Sequence, residues 1–174
     1  TVQLALNKAV LWATEKGLTF SPAKTKLVFF QRKPGTFASN RPIVMSGQVL
    51  EEVSSVRYLG VQLDQTLTFA EHMENKLRTA KALLMKFQAG LGKLWGPRPH
   101  LIRWLYTGVV RPAVTYGSIV WGHLLKRSNS WADKLKKVQR LALTMLTACR
   151  KGTPTAGLEM LAYTPPIELF VQTE

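Results

Sequence analysis

Cysteine is nearly absent from this chain of 174 residues, which contains only Cys149. A single cysteine excludes an internal disulfide and any zinc site built from several cysteines. We expect Cys149 to pack as a small apolar group on a helix rather than to act as a nucleophile. The three histidines, His72, His100 and His123, form no pair with the spacing of metal ligands. The sequence therefore predicts no metal site.

Long apolar runs are also lacking. No run approaches the ~18 residues of a membrane-spanning helix, and the first residues lack the charged-then-apolar order of a signal peptide. The hydrophobic fraction is 46% and the mean hydropathy is -0.01, which are ordinary values for a globular protein. We therefore expect a soluble, intracellular protein that forms one compact domain or two small subdomains.

Acidic residues are scarce. The chain has 24 Lys and Arg against 10 Asp and Glu, a formal net charge of +14. The basic excess lies mainly in residues 1–50 and 101–174. Self-repulsion of this size weakens the compact state unless a polyanion lies against it. Nucleic acid is the first candidate for that partner, and an anionic membrane surface is the second.

The first 64 residues predict a helix followed by short strands. Residues 2–16 read as a helix that Gly17 ends in the C′ position. Residues 18–20 and 26–30 read as short extended pieces, and 31–42 as a loop. Residues 43–64 read as antiparallel strands, in which Val56, Tyr58 and Gly60 alternate with Arg57, Leu59, Val61 and Leu63.

The rest of the chain predicts helices. Thr68 and Glu71 have the spacing of a capping box, which would begin a long helix after a turn at Asp64. That helix carries an apolar seam with alternating spacings of four and three, made of Met73, Leu77, Ala80, Leu84, Phe87, Leu91 and Leu94. The Gly-Pro-Arg-Pro break at 96–99 ends it.

Three further helical segments follow the break. In residues 100–121 we expect Pro112 to kink or split the helix. After a polar turn at 127–130, a third helix carries a row of basic residues spaced three apart, and a short helix covers 155–162. The predicted buried positions are Leu101, Trp104, Leu105, Val109, Tyr116 and Trp121 in the second helix, and Trp131, Leu135, Val138, Ala142, Met145 and Cys149 in the third. The fold class is α+β: a helix with short antiparallel strands, then a helical bundle.

Three segments resemble non-LTR (LINE-type, insect-like) retrotransposon reverse transcriptases. Residues 17–30 (GLTFSPAKTKLVFF) resemble motif D of these enzymes, and residues 55–72 (SVRYLGVQLDQTLTFAEH) resemble their primer-grip hairpin and the entry to the thumb. Residues 105–121 (LYTGVVRPAVTYGSIVW) and 153–161 (TPTAGLEML) are similar to segments beyond the thumb. The order and spacing of the segments match the family over nearly the whole chain.

The resemblance implies three parts: residues 1–64 as the end of a partial palm, 65–150 as a helical thumb, and 151–174 as the start of a connection region. The family's catalytic palm also carries an F/Y-x-D-D strand and another aspartate ahead of motif D. The only aspartates of this chain are Asp64 and Asp133, far apart in sequence. Two-metal phosphoryl transfer needs clustered carboxylates, so we expect no polymerase activity from the chain alone. Asp64 reads as a turn or cap residue rather than a metal ligand.

Lys24 is the catalytic candidate that the resemblance implies. The motif D lysine lies near the phosphates of the incoming nucleotide and acts as a general acid for the leaving pyrophosphate, a role that needs the palm aspartates. The alternative is a solvated lysine in a basic turn. Tyr58, Leu59 and Gly60 would form the primer grip, in which Gly60 allows close backbone approach to the nucleic acid. The alternative places Tyr58 in the core and Gly60 at a bulge.

The resemblance also implies that the helices lie along the template–primer duplex. The candidate phosphate contacts are Arg78, Lys81, Lys134, Lys137 and Arg140, and their alternative is a pair of solvated helix faces. The tryptophans Trp95, Trp104, Trp121 and Trp131 are predicted to be core residues rather than base-stacking platforms, because their spacing matches the helix period.

The leading functional hypothesis is thus a part of an RNA-directed DNA polymerase that holds template and primer without the catalytic aspartates. One alternative is a non-enzymatic, transposon-derived domain that binds nucleic acid or protein, and another is an unrelated basic helical interaction protein. The expected partners are an RNA template with a DNA primer as a hybrid duplex and the rest of the polymerase polypeptide, with no membrane. No cofactor is expected in this chain, Mg²⁺ is expected for the full-length enzyme, and the full-length protein is expected in the nucleus.

Overall fold

The computed structural model describes residues 2–32, 42–90, 98–127, 129–150 and 152–173. The chain divides into two compact units, Thr1–Phe69 and Ala70–Glu174, which we call the first and second unit. The first contains one helix and all the strands of the described residues, and the second contains helices. The α+β fold class is therefore confirmed. No helix among the described residues is long and apolar enough to cross a bilayer.

The first unit begins with helix α1, Val2–Glu15. Gly17, with φ +70°, ends it as predicted. The Leu18 N–H donates to the Ala13 carbonyl over 2.8 Å and the Gly17 N–H to the Thr14 carbonyl over 3.0 Å. This pair of bonds is the Schellman motif, whose left-handed residue is most often glycine.

Six short strands follow in three pairs where the structure describes this unit. They are β1 Lys26–Leu27, β2 Val44–Met45, β3 Gln48–Val49, β4 Glu51–Glu52, β5 Ser55–Tyr58 and β6 Val61–Asp64. The β2–β3 and β5–β6 pairs are antiparallel, as predicted. The β1–β4 pair is parallel, with Lys26 opposite Glu51, a pairing that the sequence did not predict. Parallel partners are distant in sequence, and strands of two residues leave almost no pattern to read. Residues 18–20 form no strand.

The core of the first unit lies between α1 and these strands. It consists of Ile43, Met45 and Leu50, with Leu6, Val10, Leu27 and Phe29 packed against them. Gln3 of α1 fixes the position of β2 through its side-chain amide. Its Nε2 donates to the Val44 carbonyl over 2.7 Å, and its Oε1 accepts from the Val44 N–H over 2.9 Å.

The second unit begins with helix α2, Ala70–Gly90. Its predicted seam is buried at Met73, Leu77, Ala80 and Leu84, and Phe87 is half-buried. Leu91, Leu94 and Trp95 lie outside the described residues. The predicted capping box is wrong, because the helix begins two residues after Thr68 and the Thr68 hydroxyl donates to Asp64 instead, over 3.2 Å.

Seven helices and one π-helical turn complete the described part of this unit. They are α3 Pro99–Leu105, α4 Arg111–Thr115, α5 Ser118–Trp121, α6 His123–Arg127, α7 Asn129–Thr147, α8 Thr155–Leu161 and α9 Ile167–Thr173, with a π-helical turn at Tyr106–Val110 between α3 and α4; with α2 they make the bundle. The helices α6 and α9 were not predicted. The first overlaps the expected polar turn. The second follows Pro165 and Pro166, and proline suits the first turn of a helix.

The helix is interrupted directly before Pro112 by the π-helical turn between α3 and α4. In this wider turn the Arg111 N–H donates to the Tyr106 carbonyl five residues back. A wider turn relieves the clash between a proline ring and the preceding turn. The chain breaks farther on, at Gly117, whose φ is +74°.

The buried face of this segment differs from the predicted one. Ile102, Tyr106, Val110 and Val114 are buried, whereas Leu101, Trp104, Val109 and Tyr116 are exposed. Trp104 is 66% exposed, so its prediction as a core residue was wrong, while Trp121 is fully buried as predicted. The apolar residues of this segment are dense enough to outline two faces, and their sequence does not decide which one packs.

Helix α7 buries Leu135, Val138 and Ala142 as predicted. Trp131 and Met145 are only half-buried, and Cys149 follows the end of the helix at Thr147 instead of lying on it. Gln139 is fully buried, which no apolar pattern predicts.

Candidate nucleic-acid interface

The hairpin β5–β6 holds the three residues predicted as the primer grip. Tyr58 pairs with Val61 and closes the ladder. Leu59 and Gly60 form the turn, with φ values of 45° and 83°. Two positive φ values are the signature of a type I′ turn, which matches the twist of the flanking strands. The alternation predicted through residues 56–63 is therefore interrupted, and Gly60 lies in a turn rather than a bulge.

The tip of this hairpin is open to solvent. Tyr58 is 64% exposed and Leu59 is 76% exposed. Tyr58 is thus not a core residue, which removes that alternative. Beside it lies a groove of about 330 Å³ lined by Lys26, Leu27, Val28, Phe30, Val56, Tyr58 and Leu63. Lys26 is the one cation among the described residues that line this groove, and the Lys26 Nζ lies 3.6 Å from the Glu51 carboxylate.

Lys24 lies at the end of a single 3-10 turn, Pro22–Lys24. The Thr25 hydroxyl steadies this turn by donating to the Ser21 carbonyl over 2.9 Å. The side chain of Lys24 is exposed, which suits both the motif D role and the solvated alternative.

Asp64 ends β6 and organises the loop that follows. Its carboxylate accepts from the backbone N–H groups of Thr66, Thr68 and Phe69 and from both threonine hydroxyls, over 2.6–3.2 Å. Partial burial raises the pKa of Asp64, but these hydrogen bonds outweigh burial and leave the pKa below its ordinary value. The prediction of a turn residue is confirmed. With its oxygens so engaged, Asp64 does not suit a metal ion.

Helices α2 and α7 bring three of the predicted phosphate contacts together. Arg78, Lys81 and Lys134 line one groove of about 450 Å³. Leu77, Ala82 and Met85 line its apolar part, and Glu74 is its acidic residue. Residues more than fifty positions apart in sequence thus form one cationic surface, which we call the basic groove.

The cations of the basic groove are held loosely. The Lys134 Nζ lies 3.9 Å from a Glu74 carboxylate oxygen and 4.1 Å from the centre of the Trp131 ring. The Arg78 guanidinium donates to the Asn75 side chain over 2.7 Å. An exposed ion pair contributes little, so a phosphate can take the place of Glu74 at small cost. The prediction missed Glu74, although its spacing of four from Arg78 already sets both on one helix face.

Lys137 and Arg140 do not line this groove. Helical residues rotate by about 100°, so Lys134 and Arg140 differ by roughly 120° around the axis and do not form one line. Arg140 points toward α8, where its Nη1 donates to the Thr155 hydroxyl over 2.8 Å. Lys137 lies between them and is exposed. The structure therefore groups Lys134 with α2 rather than with its two neighbours.

Curated proteins with a similar sequence come from insect retrotransposons. The putative 115 kDa protein of the type-1 retrotransposable element R1DM of Drosophila melanogaster is 27% identical over 159 residues, which cover 91% of this chain and 15% of that protein. A retrovirus-related Pol polyprotein from element R1 3 of Nasonia vitripennis is 27% identical over 178 residues, which cover 95% of this chain and 46% of that protein. The chain is related to the reverse transcriptases of non-LTR retrotransposons.

A third relative carries the enzymatic name. The probable RNA-directed DNA polymerase from transposon BS of Drosophila melanogaster is 26% identical over 148 residues, which cover 85% of this chain and 16% of that protein. The present chain thus spans less than half the length of each of these three curated proteins. No protein-family model matches the chain. No solved structure matches it either.

Proposed function

We propose that this chain holds the template–primer duplex for an RNA-directed DNA polymerase of a non-LTR retrotransposon. The observation that supports this most is the basic groove, in which Arg78, Lys81 and Lys134 converge from two helices. The net charge of +14 and the kinship with retrotransposon Pol proteins agree with it. The expected partners are the RNA template and DNA primer as a hybrid duplex, and the remaining polymerase polypeptide.

The basic groove suits a nucleic-acid backbone rather than a particular base sequence. The three cations neutralise phosphates and release the counterions condensed on them, which supports affinity without sequence preference. The exposed Met85 in the apolar part of the groove offers contact to sugar surfaces that phosphates do not cover. A hybrid duplex presents a wide, shallow minor groove, so a protein holds it through shape and backbone.

The hairpin tip has a second, positional role in this proposal. Leu59 and Gly60 project in a tight turn, and Gly60 has no side chain to keep a sugar-phosphate strand away. Tyr58 and Leu59 offer exposed apolar surface beside it. Holding the primer end matters because a misplacement of ~1 Å can lower a reaction rate about a hundredfold.

Nucleotide transfer itself is not assigned to this chain. Among the described residues no group of three His, Cys, Asp or Glu side chains could hold a metal ion. The two aspartates do not fit the paired carboxylates that two Mg²⁺ ions require, since Asp64 is engaged in its loop and Asp133 is an exposed helix residue. A general-acid role for Lys24, the use of Mg²⁺ and a nuclear location belong to the proposal for the full-length enzyme.

Binding of a labelled RNA–DNA hybrid over a salt series tests the proposal. Arg78, Lys81 and Lys134 are replaced together by glutamine, and the matched control replaces Lys8, Lys16 and Lys126, three exposed lysines outside the groove. Both variants lose the same charge. We expect the groove variant to flatten the slope of log K against log salt by about 2 to 3, because each lost phosphate contact removes about 0.9.

The control variant is expected to keep most of the wild-type slope. Equal slopes for the two variants would mean that net charge, and not the groove, drives binding. Circular dichroism of both variants verifies that the helices are intact.

A further inference from the structure

A second groove of the helical unit lies between α3 and the ends of α7 and α8. Its volume is about 460 Å³, and its lining residues are Pro99, His100, Arg103, Leu146, Thr147, Leu161 and Ala162. No described residue lines both this groove and the basic groove. We call it the α3–α8 groove.

The floor of the α3–α8 groove belongs to the folded core. Leu146 packs against a cluster formed by Leu143, Leu158 and Ala162. Leu143 and Leu158 are fully buried, and Ala162, which lines the groove, is nearly so. Because these contacts hold the floor in place, the groove is formed before anything binds in it, as ligand sites usually are.

The wall of the α3–α8 groove is apolar and exposed. Leu161 is 63% exposed, although Ala162 beside it is buried. Thr147 adds no available polar group, because its hydroxyl already donates to the Leu143 carbonyl over 2.9 Å and accepts from the Cys149 N–H over 3.4 Å. A large apolar side chain placed here would remove Leu161 from water and would strand no polar group of the wall.

Arg103 is the only arginine or lysine among the described residues that line this groove. No acidic side chain of the described ranges lies within ion-pair distance of it. Its Nη2 lies 3.5 Å from the carbonyl oxygen of Tyr163, a residue with left-handed φ 48°, and this distance is long for a hydrogen bond. Glu159 lines a separate groove with Tyr163. The guanidinium can therefore accept a carboxylate through two parallel hydrogen bonds.

This combination selects the occupant. A nucleic-acid backbone is held by several cations and its bases by aromatic rings, whereas the described lining offers one arginine and no Phe, Tyr or Trp. A wholly apolar peptide would cover the guanidinium without giving it a partner, which is costly. An amphipathic helix that lies in a groove between helices supplies both apolar anchors and a carboxylate one turn away.

We propose that the α3–α8 groove binds an acidic amphipathic helix of a partner protein. An apolar side chain of that helix packs against Leu161 and Leu146, and a glutamate or aspartate pairs with Arg103. Arg98, exposed directly before Pro99, adds positive charge at the same end of α3. The proposal is independent of duplex binding, because it uses no residue of the basic groove.

Fluorescence anisotropy of a labelled helical peptide tests the apolar contact. The peptide has leucines at positions i, i+4 and i+7 with glutamates beside them, and it is titrated with the full chain at ~0.15 M salt. Leu161→Ser should weaken binding about tenfold, because a buried leucine contact is lost. The matched control is Met160→Ser: Met160 is adjacent and 78% exposed but lines the groove of Glu159, so its replacement should change binding by less than about twofold.

A charge exchange tests the role of Arg103. A second peptide has lysine in place of each glutamate. Arg103→Glu should weaken the acidic peptide by about tenfold and should bind the lysine peptide more tightly than the wild type does. The matched control, Arg57→Glu, reverses another exposed arginine, on β5, and should do neither. Circular dichroism of all four variants verifies that the helices are intact.

Three results would overturn the proposal. The first is no saturable binding of the acidic peptide by the wild type. The second is equal binding by Leu161→Ser and Met160→Ser, or by Arg103→Glu and Arg57→Glu, since the peptide would then follow overall charge. The third is displacement of the peptide by an RNA–DNA hybrid, which would place the peptide in the basic groove. Loss of hybrid binding in the basic-groove variant with peptide binding unchanged would support two separate surfaces.

Discussion

Replacing Gln139 by leucine should detach the start of α9 from α7. Gln139 is fully buried, and its side-chain amide forms hydrogen bonds with two backbone groups at the start of α9. Its Nε2 donates to the Pro165 carbonyl over 2.8 Å, and its Oε1 accepts from the Ile167 N–H over 2.6 Å. Leucine has a similar volume, so the change removes hydrogen bonds with little change in packing.

The two lost bonds differ in cost. Ile167 is 1% exposed, so its N–H is left buried without a partner, which costs about 1–3 kcal/mol. Pro165 is exposed and its carbonyl can turn to water, so that bond contributes about 0.5–1.5 kcal/mol. The free energy of unfolding should therefore fall by about 2–4 kcal/mol. The ion pair between Lys136 and Glu168, at 3.0 Å, still joins the two helices, so α9 should loosen rather than leave.

Urea denaturation followed by circular dichroism measures this change. Gln88→Leu is the matched control, because Gln88 is exposed on α2 and its replacement should alter stability by less than about 0.5 kcal/mol. Hydrogen exchange should also show faster exchange in α9 for Gln139→Leu. Equal stability of the two variants would refute the reasoning, since it would mean that water satisfies the Ile167 N–H.

Two further predictions concern packing and pH. Gly122→Ala should lower the free energy of unfolding by about 1–3 kcal/mol in thermal unfolding. The new Cβ would lie 2.6 Å from the Ser118 carbonyl oxygen and 3.0 Å from Val171 Cγ1. If a Gly122→Ala/Val171→Ala double variant recovers none of this loss, a steric cause at α9 is contradicted. Because the pKa of Asp64 is lowered in the folded protein, its ionised carboxylate stabilises the fold fully at a pH above the ordinary pKa of about 4. This stabilisation is lost as the pH falls through the lower pKa of the folded state. The stability difference between wild type and Asp64→Asn should therefore be largest near neutral pH and shrink below pH ~4 in urea titrations, whereas a constant difference from pH 7 to pH 3 would exclude this linkage.

Local signals in the sequence predicted well where one element decides the outcome. The end of α1 at Gly17 depends only on a left-handed residue after a helix. The seam of α2 from Met73 to Leu84 depends only on a single period. Asp64 as a loop organiser follows from its position between a strand and a helix. In each case local preference and tertiary packing agree.

The failures arise where packing chooses between local options. Trp104 lies on one of two possible apolar faces of its helix, and packing buries the other face. Tyr163 has a conformation that no sequence rule assigns to tyrosine. The parallel pairing of Lys26 with Glu51 joins strands too short to carry a pattern.

The candidate site was predictable in composition but not in grouping. Lys134, Lys137 and Arg140 are evenly spaced in sequence, yet only Lys134 joins Arg78 and Lys81. Which face of α7 meets α2 is a tertiary property. The acidic member of the groove, Glu74, joins it because α2 places it four residues before Arg78 and packing brings Lys134 beside it.

Photo-cross-linking of a template–primer hybrid tests the central claim most directly. A hybrid with photoreactive groups along its backbone is irradiated with the protein at low salt, and cross-linked peptides are identified by mass spectrometry. If the chain holds the duplex as proposed, cross-links concentrate in α2 and α7 around Arg78, Lys81 and Lys134 and decrease with added salt. Cross-links spread over α1, or confined to α8 and α9, would contradict a duplex held in the basic groove.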